Sequence, residues 1–117
     1  MDVAAPLTAS LQAGQPTQVQ NHKTTFVDGM GGKSLFKEMW NLASNLIDDT
    51  ITLTTEEIAA AVKLLAERNH VIAEGAGAAP VAAALKDKVR GENIVCVVSG
   101  GNIDTTVLIQ ILQGFTP

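Results

Sequence analysis

Three short apolar runs rich in β-branched residues, "TITLT" at 50–54, "HVIAE" at 70–74 and "NIVCVV" at 93–98, recur along the C-terminal two thirds of the chain. Each is followed, within a few residues, by a segment with helical spacing of its apolar positions. This alternation constrains the fold more than any other feature. Strand, helix, strand, helix, strand, helix with short connections implies right-handed crossovers between parallel strands, with helices covering the faces. The fold class is therefore read as α/β, a short parallel sheet with helices on its faces. Three parallel strands leave two edges of unpaired backbone groups. The sheet is expected to be a piece of a larger one, or to pair its edges with another copy.

Composition supports burial on two sides, since 46% of residues are apolar and only 17% charged. A length of 117 residues suits one domain, 1–117, without a second core. Large rings are limited to Trp40 and three phenylalanines, so the core must come from Ala, Val, Ile and Leu. The net charge of −4 and eight scattered Lys and Arg residues give no basic stripe, which argues against a nucleic-acid partner. Cys96 is the only cysteine, so neither a disulfide framework nor a Cys-rich zinc site can form within one chain. It reads as a buried, inert thiol. Apolar runs fall short of spanning length and no leader pattern opens the chain, so neither a membrane nor secretion is indicated and a cytoplasmic protein is expected.

Residues 1–33 read as a helix and an extended crossing, and 34–117 as a helix followed by βαβαβα. Val3, Leu7 and Leu11 have helical spacing, with Gly14 as the stop. The polar stretch "QPTQVQNHKTTFVDGMGGK" has no sustained period. Ser34 is positioned to cap a helix carrying Leu35, Met39, Leu42 and Leu46 on one face, which ends before Asp48-Asp49. Thr54 and Glu57 have capping-box spacing ahead of Ile58, Ala61, Val62 and Leu65, and that helix should end near Asn69. "GAGAAPVAAALKDK" reads as a tight loop opening a helix with Pro80 in its first turn. The last helix starts near Asp104 or Thr105 and carries Val107, Leu108, Ile111 and Leu112.

Ligands of open parallel sheets lie beyond the carboxyl ends of the strands, where helix N-termini offer free N–H groups. Two loops occupy that rim. Ala73-Glu74-Gly75-Ala76-Gly77 places a carboxylate after a strand, and Ser99-Gly100-Gly101-Asn102 places a hydroxyl and an amide. On pattern alone each fits an ordinary glycine turn as well as a ligand contact. The glycines lack the dinucleotide spacing, and Gly32-Lys33-Ser34 lacks both the earlier glycine and the preceding strand of a phosphate loop. His22 and His70 have no acidic or cysteine companion at metal-ligand spacing, so no metal site is assigned. Ser99 lacks the Gly-x-Ser-x-Gly context of a nucleophile, and a polar contact to a ligand is the better role.

The blocks "APLTASLQAG", "KTTFVDGMGG", "LLAERNHVIAEGAGAAPVAAAL" and "VVSGGNID" together resemble the pyridoxal-phosphate-dependent serine/threonine dehydratases, or threonine ammonia-lyases. They occur in family order across nearly the whole chain, and related serine racemases share them. The resemblance implies part of the large domain of a fold-type-II pyridoxal phosphate enzyme. It assigns Ser99 and the adjoining Gly100 to the cofactor, the serine bonding the pyridine nitrogen. Glu74 is placed near the cofactor ring and Gly29 against the cofactor. The implied reaction is α,β-elimination of a hydroxy amino acid to a 2-oxo acid and ammonia.

The departures are as informative. The family's Schiff-base lysine motif and its phosphate-holding glycine loop have no counterpart here, and none of Lys23, Lys33, Lys37, Lys63, Lys86 or Lys88 sits in that motif. No catalytic residue is therefore assigned. Pro6 stands where the family's cation site has an acid, so that site is not expected to work. The chain looks like the C-terminal part of the catalytic domain, inactive alone, whose partner is the N-terminal half or another copy of itself. The alternative is a stand-alone binding or self-assembling module derived from such an enzyme.

Overall fold

The computed structural model describes residues 1–2, 4–20, 22–86 and 89–117. Val3 of the expected first helix, and Lys88, lie outside the described residues.

Helix α1 spans Pro6–Ala13. It begins later than the apolar spacing suggested, because a proline drives the residue before it out of the helical region and is itself well suited to the first helical position. Ala5 accordingly has φ −121° and ψ 60°. Gly14 closes the helix with φ 67°, the left-handed conformation that glycine adopts freely. The chain then turns on Ser10, whose buried Oγ accepts the Thr17 N–H at 3.0 Å. The crossing that follows is irregular, as expected, with Val27 buried beneath it.

Helix α2 covers Lys37–Ala43. Ser34 is not its cap: the N-cap is Phe36, which offers no side-chain acceptor. Of the expected apolar face only Met39 and Leu42 lie in this helix, which stops at Ala43, short of Leu46 and of Asp48-Asp49; Met39, Leu42 and Leu46 are all exposed. Helix α3, Thr55–Leu64, starts on the expected capping box. Glu57 N–H donates to Thr54 Oγ1 at 3.2 Å, and Thr54 N–H donates to Glu57 Oε2 at 2.9 Å. In the same first turn, a bond from its own backbone N–H and then one from Thr54 hold the Glu56 carboxyl below its ordinary range. The helix loosens into a π turn over Leu65–Asn69 and stops at His70, which takes the left-handed conformation with φ 56°.

Helix α4, Gly75–Leu85, starts immediately after Glu74, so Pro80 lies in its interior and not in its first turn. A proline there supplies no N–H to the carbonyl one turn back. The helix forms regardless because six of its small residues, among them Ala78, Ala79, Ala82 and Ala83, are buried. Helix α5, Thr105–Leu112, follows Asp104 as expected.

Helix α3 packs on α4 and α5. Ile58, Ala61, Val62 and Leu65 face Ala78 and Ala82 and the buried Ile111, joined by Leu53, Ala73 and Val27. Each fully buried Ile or Val side chain contributes about 1.5–3 kcal/mol. Lys63 Nζ donates to the Leu112 carbonyl at 2.8 Å, satisfying the end of α5.

The expected parallel sheet is not seen: among the described residues no strand ladder forms. Residues 70–74 and 94–100 meet through the bond from Glu74 N–H to the Gly100 carbonyl, 3.0 Å, and residues 51–53 meet the N-terminus through Asp2 N–H to the Leu53 carbonyl, 2.9 Å. Residues 94–98 nevertheless have the two-sided alternation of a strand. Cys96 is half-buried and its thiol donates to the Pro80 carbonyl of α4 at 3.4 Å, while Val95 and Val97 are 88% and 66% exposed. Helices cover one face of this segment. The opposite face is bare among the described residues, and the backbone bond to residues 70–74, from Glu74 N–H to the Gly100 carbonyl, is too little pairing for a ladder.

Candidate functional site

The four residues singled out in the sequence come together at the N-terminal end of α4. Glu74 is the N-cap of that helix, in extended conformation with φ −75° and ψ 168°. Its backbone N–H reaches the Gly100 carbonyl, and its Oε2 accepts the Asn102 N–H at 3.2 Å. Gly29 closes the third side. A Cβ on Gly29 would lie 3.0 Å from the Ala76 Cβ and 3.3 Å from Glu74 Oε1. Ser99 precedes Gly100 in this cluster and is exposed, while Glu74 is half-buried. Crossing, EGAG block and SGGN block thus form one rim.

The sequence left the rim glycines open between an ordinary turn and close approach of a ligand. Here they first allow the loops to approach one another. A Cβ on Gly77 would stand 2.6 Å from the Gly100 carbonyl oxygen and 3.0 Å from its nitrogen. Gly77 and the Asn102 N–H are the members of the rim that sequence reasoning left without a role. The only signal was their place in the EGAG and SGGN blocks, because nothing local shows which backbone lies opposite.

A cleft of about 270 Å³ adjoins the rim between Thr24–Asp28 and Asn102–Val107. A larger apolar cleft of about 390 Å³, lined by Met1, Ala4, Leu7, Met30, Leu35 and Ile51 among others, includes none of the four rim residues. Neither histidine joins the site. His22 bonds the Gly31 carbonyl through Nε2, and His70 is exposed at the end of the π turn.

Residues 2–100 match the family of pyridoxal-phosphate dependent enzymes. The chain belongs to that family. It is 39% identical over 106 residues to an L-threonine ammonia-lyase of Thermotoga maritima, an alignment covering 90% of this chain and 26% of that protein. Among solved structures, threonine deaminase isoform 2 from Solanum lycopersicum matches with a TM-score of 0.80 and 29% identity over 97% of this chain and 34% of that one. Maize serine racemase matches with a TM-score of 0.80 and 30% identity over 95% of this chain and 36% of that one. The chain therefore spans about a quarter to a third of the length of the curated relatives it matches. The chain shares the fold of the matching part of these enzymes.

The rim fits one side of such a cofactor. Ser99 offers an exposed neutral hydroxyl beside backbone that carries no side chain at Gly100 and Gly29. Two of the lysines lie away from it. Lys63 is committed to the Leu112 carbonyl and to Glu67 Oε1 at 3.8 Å. Lys86 caps the far end of α4, about 18 Å from Glu74 at 1.5 Å per residue.

Proposed function

We propose that the chain supplies the ring-facing wall of a pyridoxal phosphate site in a threonine or serine ammonia-lyase. In the assembled enzyme it serves α,β-elimination of a hydroxy amino acid to a 2-oxo acid and ammonia. The observation that carries this reading is the gathering of Gly29, Glu74, Ser99 and Gly100 on one rim.

Pyridoxal phosphate, when bound, supplies the electron sink that eases removal of a substrate α-proton. Ser99 would hold the pyridine nitrogen through a neutral hydroxyl, a partner that would leave that nitrogen unprotonated and temper the ring's electron demand in favour of elimination. Gly29 and Gly100 would leave bare backbone beside it. Glu74 would border the site and is not assigned the proton transfer. No lysine of this chain takes the covalent role. The polypeptide carrying the Schiff-base lysine and the phosphate loop is the partner, and with its neighbouring strands in place residues 50–54, 70–74 and 93–98 complete the parallel sheet. The bare Val95 and Val97 favour a second reading, a self-assembling module derived from the family.

Mixing the chain with an equimolar amount of pyridoxal phosphate and then borohydride tests the lysine assignment: only low labelling spread over surface amines is expected, and a stoichiometric adduct on one lysine overturns that assignment. Adding the segment of a threonine ammonia-lyase that precedes the matched region should yield 2-oxo acid and ammonia, with the chain alone inactive. Racemised amino acid in place of 2-oxo acid would identify a racemase. Ser99→Ala should slow the reconstituted reaction about tenfold, the worth of one hydrogen bond of about 1.4 kcal/mol.

A further inference from the structure

Glu74 has a second task. A residue at a helix N-cap ordinarily turns its side-chain oxygen back onto its own first turn, as Thr54 does on α3. Glu74 makes no such bond to α4. Its carboxylate is directed away from the helix, onto a loop 28 residues later, where Oε2 accepts the Asn102 N–H at 3.2 Å. Its main chain holds the same loop from the other flank, donating to the Gly100 carbonyl at 3.0 Å. Oε1 fills the space beside Gly100, since a Cβ there would lie 2.6 Å from it. One residue thus grips the Gly100-Gly101-Asn102 backbone at two points and packs against a third.

We propose that Glu74 is a positioning residue for Ser99. By clamping the two-glycine step, it fixes the direction in which the preceding hydroxyl is presented. A Gly-Gly step left unrestrained has more backbone freedom than any other dipeptide, so a serine attached to it would sample many directions. A carboxylate acceptor suits the task because charge-assisted bonds to backbone N–H are roughly twice as strong as neutral ones. The clamp stands on the geometry of this chain alone. Its consequence for a cofactor rests on the function proposed above.

Amide hydrogen exchange of the full chain, read by NMR, tests the clamp without a cofactor. Glu74→Ala should speed exchange of the Asn102 amide about tenfold, the worth of one such bond. Glu74→Gln keeps an acceptor of the same reach and should restore slow exchange. Gly100→Ala pushes the carboxylate aside and should match Glu74→Ala. Unchanged Asn102 exchange in Glu74→Ala, or a glutamine variant no better than alanine, overturns the clamp. A second readout is pyridoxal phosphate binding to the reconstituted enzyme, followed by fluorescence. Glu74→Ala and Ser99→Ala should weaken it by similar factors, and the double variant by no more than either. Additive losses would mean that Glu74 acts on the cofactor directly, which overturns the positioning role. If the reconstituted enzyme binds no cofactor with the parent chain or with any variant, the proposed function fails while the exchange result still decides the clamp.

Discussion

At Thr54 a single hydroxyl decides where α3 begins, closing a capping box of two reciprocal bonds. Thr54→Ala should cost about 1 kcal/mol in urea denaturation, with Thr54→Ser near neutral. This contact was legible in the sequence because its partners are three residues apart and the chemistry is local. Glu74 shows the opposite case. Sequence marked it as a rim residue, but its partner lies 28 residues away on another loop. No period or spacing joins positions so distant, so the family resemblance could name the residue without revealing what its carboxylate holds.

Among the elements, α4 departs furthest from expectation. The tight loop read from its glycines is helix from Gly75 onward, and Pro80 sits inside it. Gly75 and Gly77 read as turn residues because their helix propensity is low. What overrode propensity was tertiary: both are buried, and Gly77 lies against the backbone of Gly100. Gly77→Ala would improve propensity locally yet drive a methyl into a backbone carbonyl that cannot swing away. We expect a net loss of about 1–3 kcal/mol, measured by the shift in denaturation midpoint. A gain would mean that the loops can separate. The uncapped start of α2 has a related cause. Ser34 has the right chemistry but stands two residues before the observed N-cap, and boundaries are the least certain part of a periodicity argument.

For the whole molecule, helix order and the α3, α4 and α5 core followed from apolar spacing, and the sheet did not. Strand pairing depends on neighbours, and β-branched runs state a preference for a two-sided environment without supplying it. Residues 94–98 show this directly, with Cys96 turned to α4 and Val95 and Val97 bare. The isolated chain should therefore self-associate at tens of micromolar in sedimentation velocity, and Val95→Lys with Val97→Lys should shift it toward monomer. A monomer at high concentration without those changes would refute the argument.

The bare face also alters what a melting temperature of this chain can mean. Any molecule that covers Val95 and Val97 in the folded state alone adds RT ln(1 + [L]/Kd) to stability, about 2.7 kcal/mol at a hundredfold excess over Kd. Part of the free energy that holds this chain together is thus held in common with whatever lies against it. Its stability is a function of concentration, and two preparations compared at different concentrations would be two different measurements.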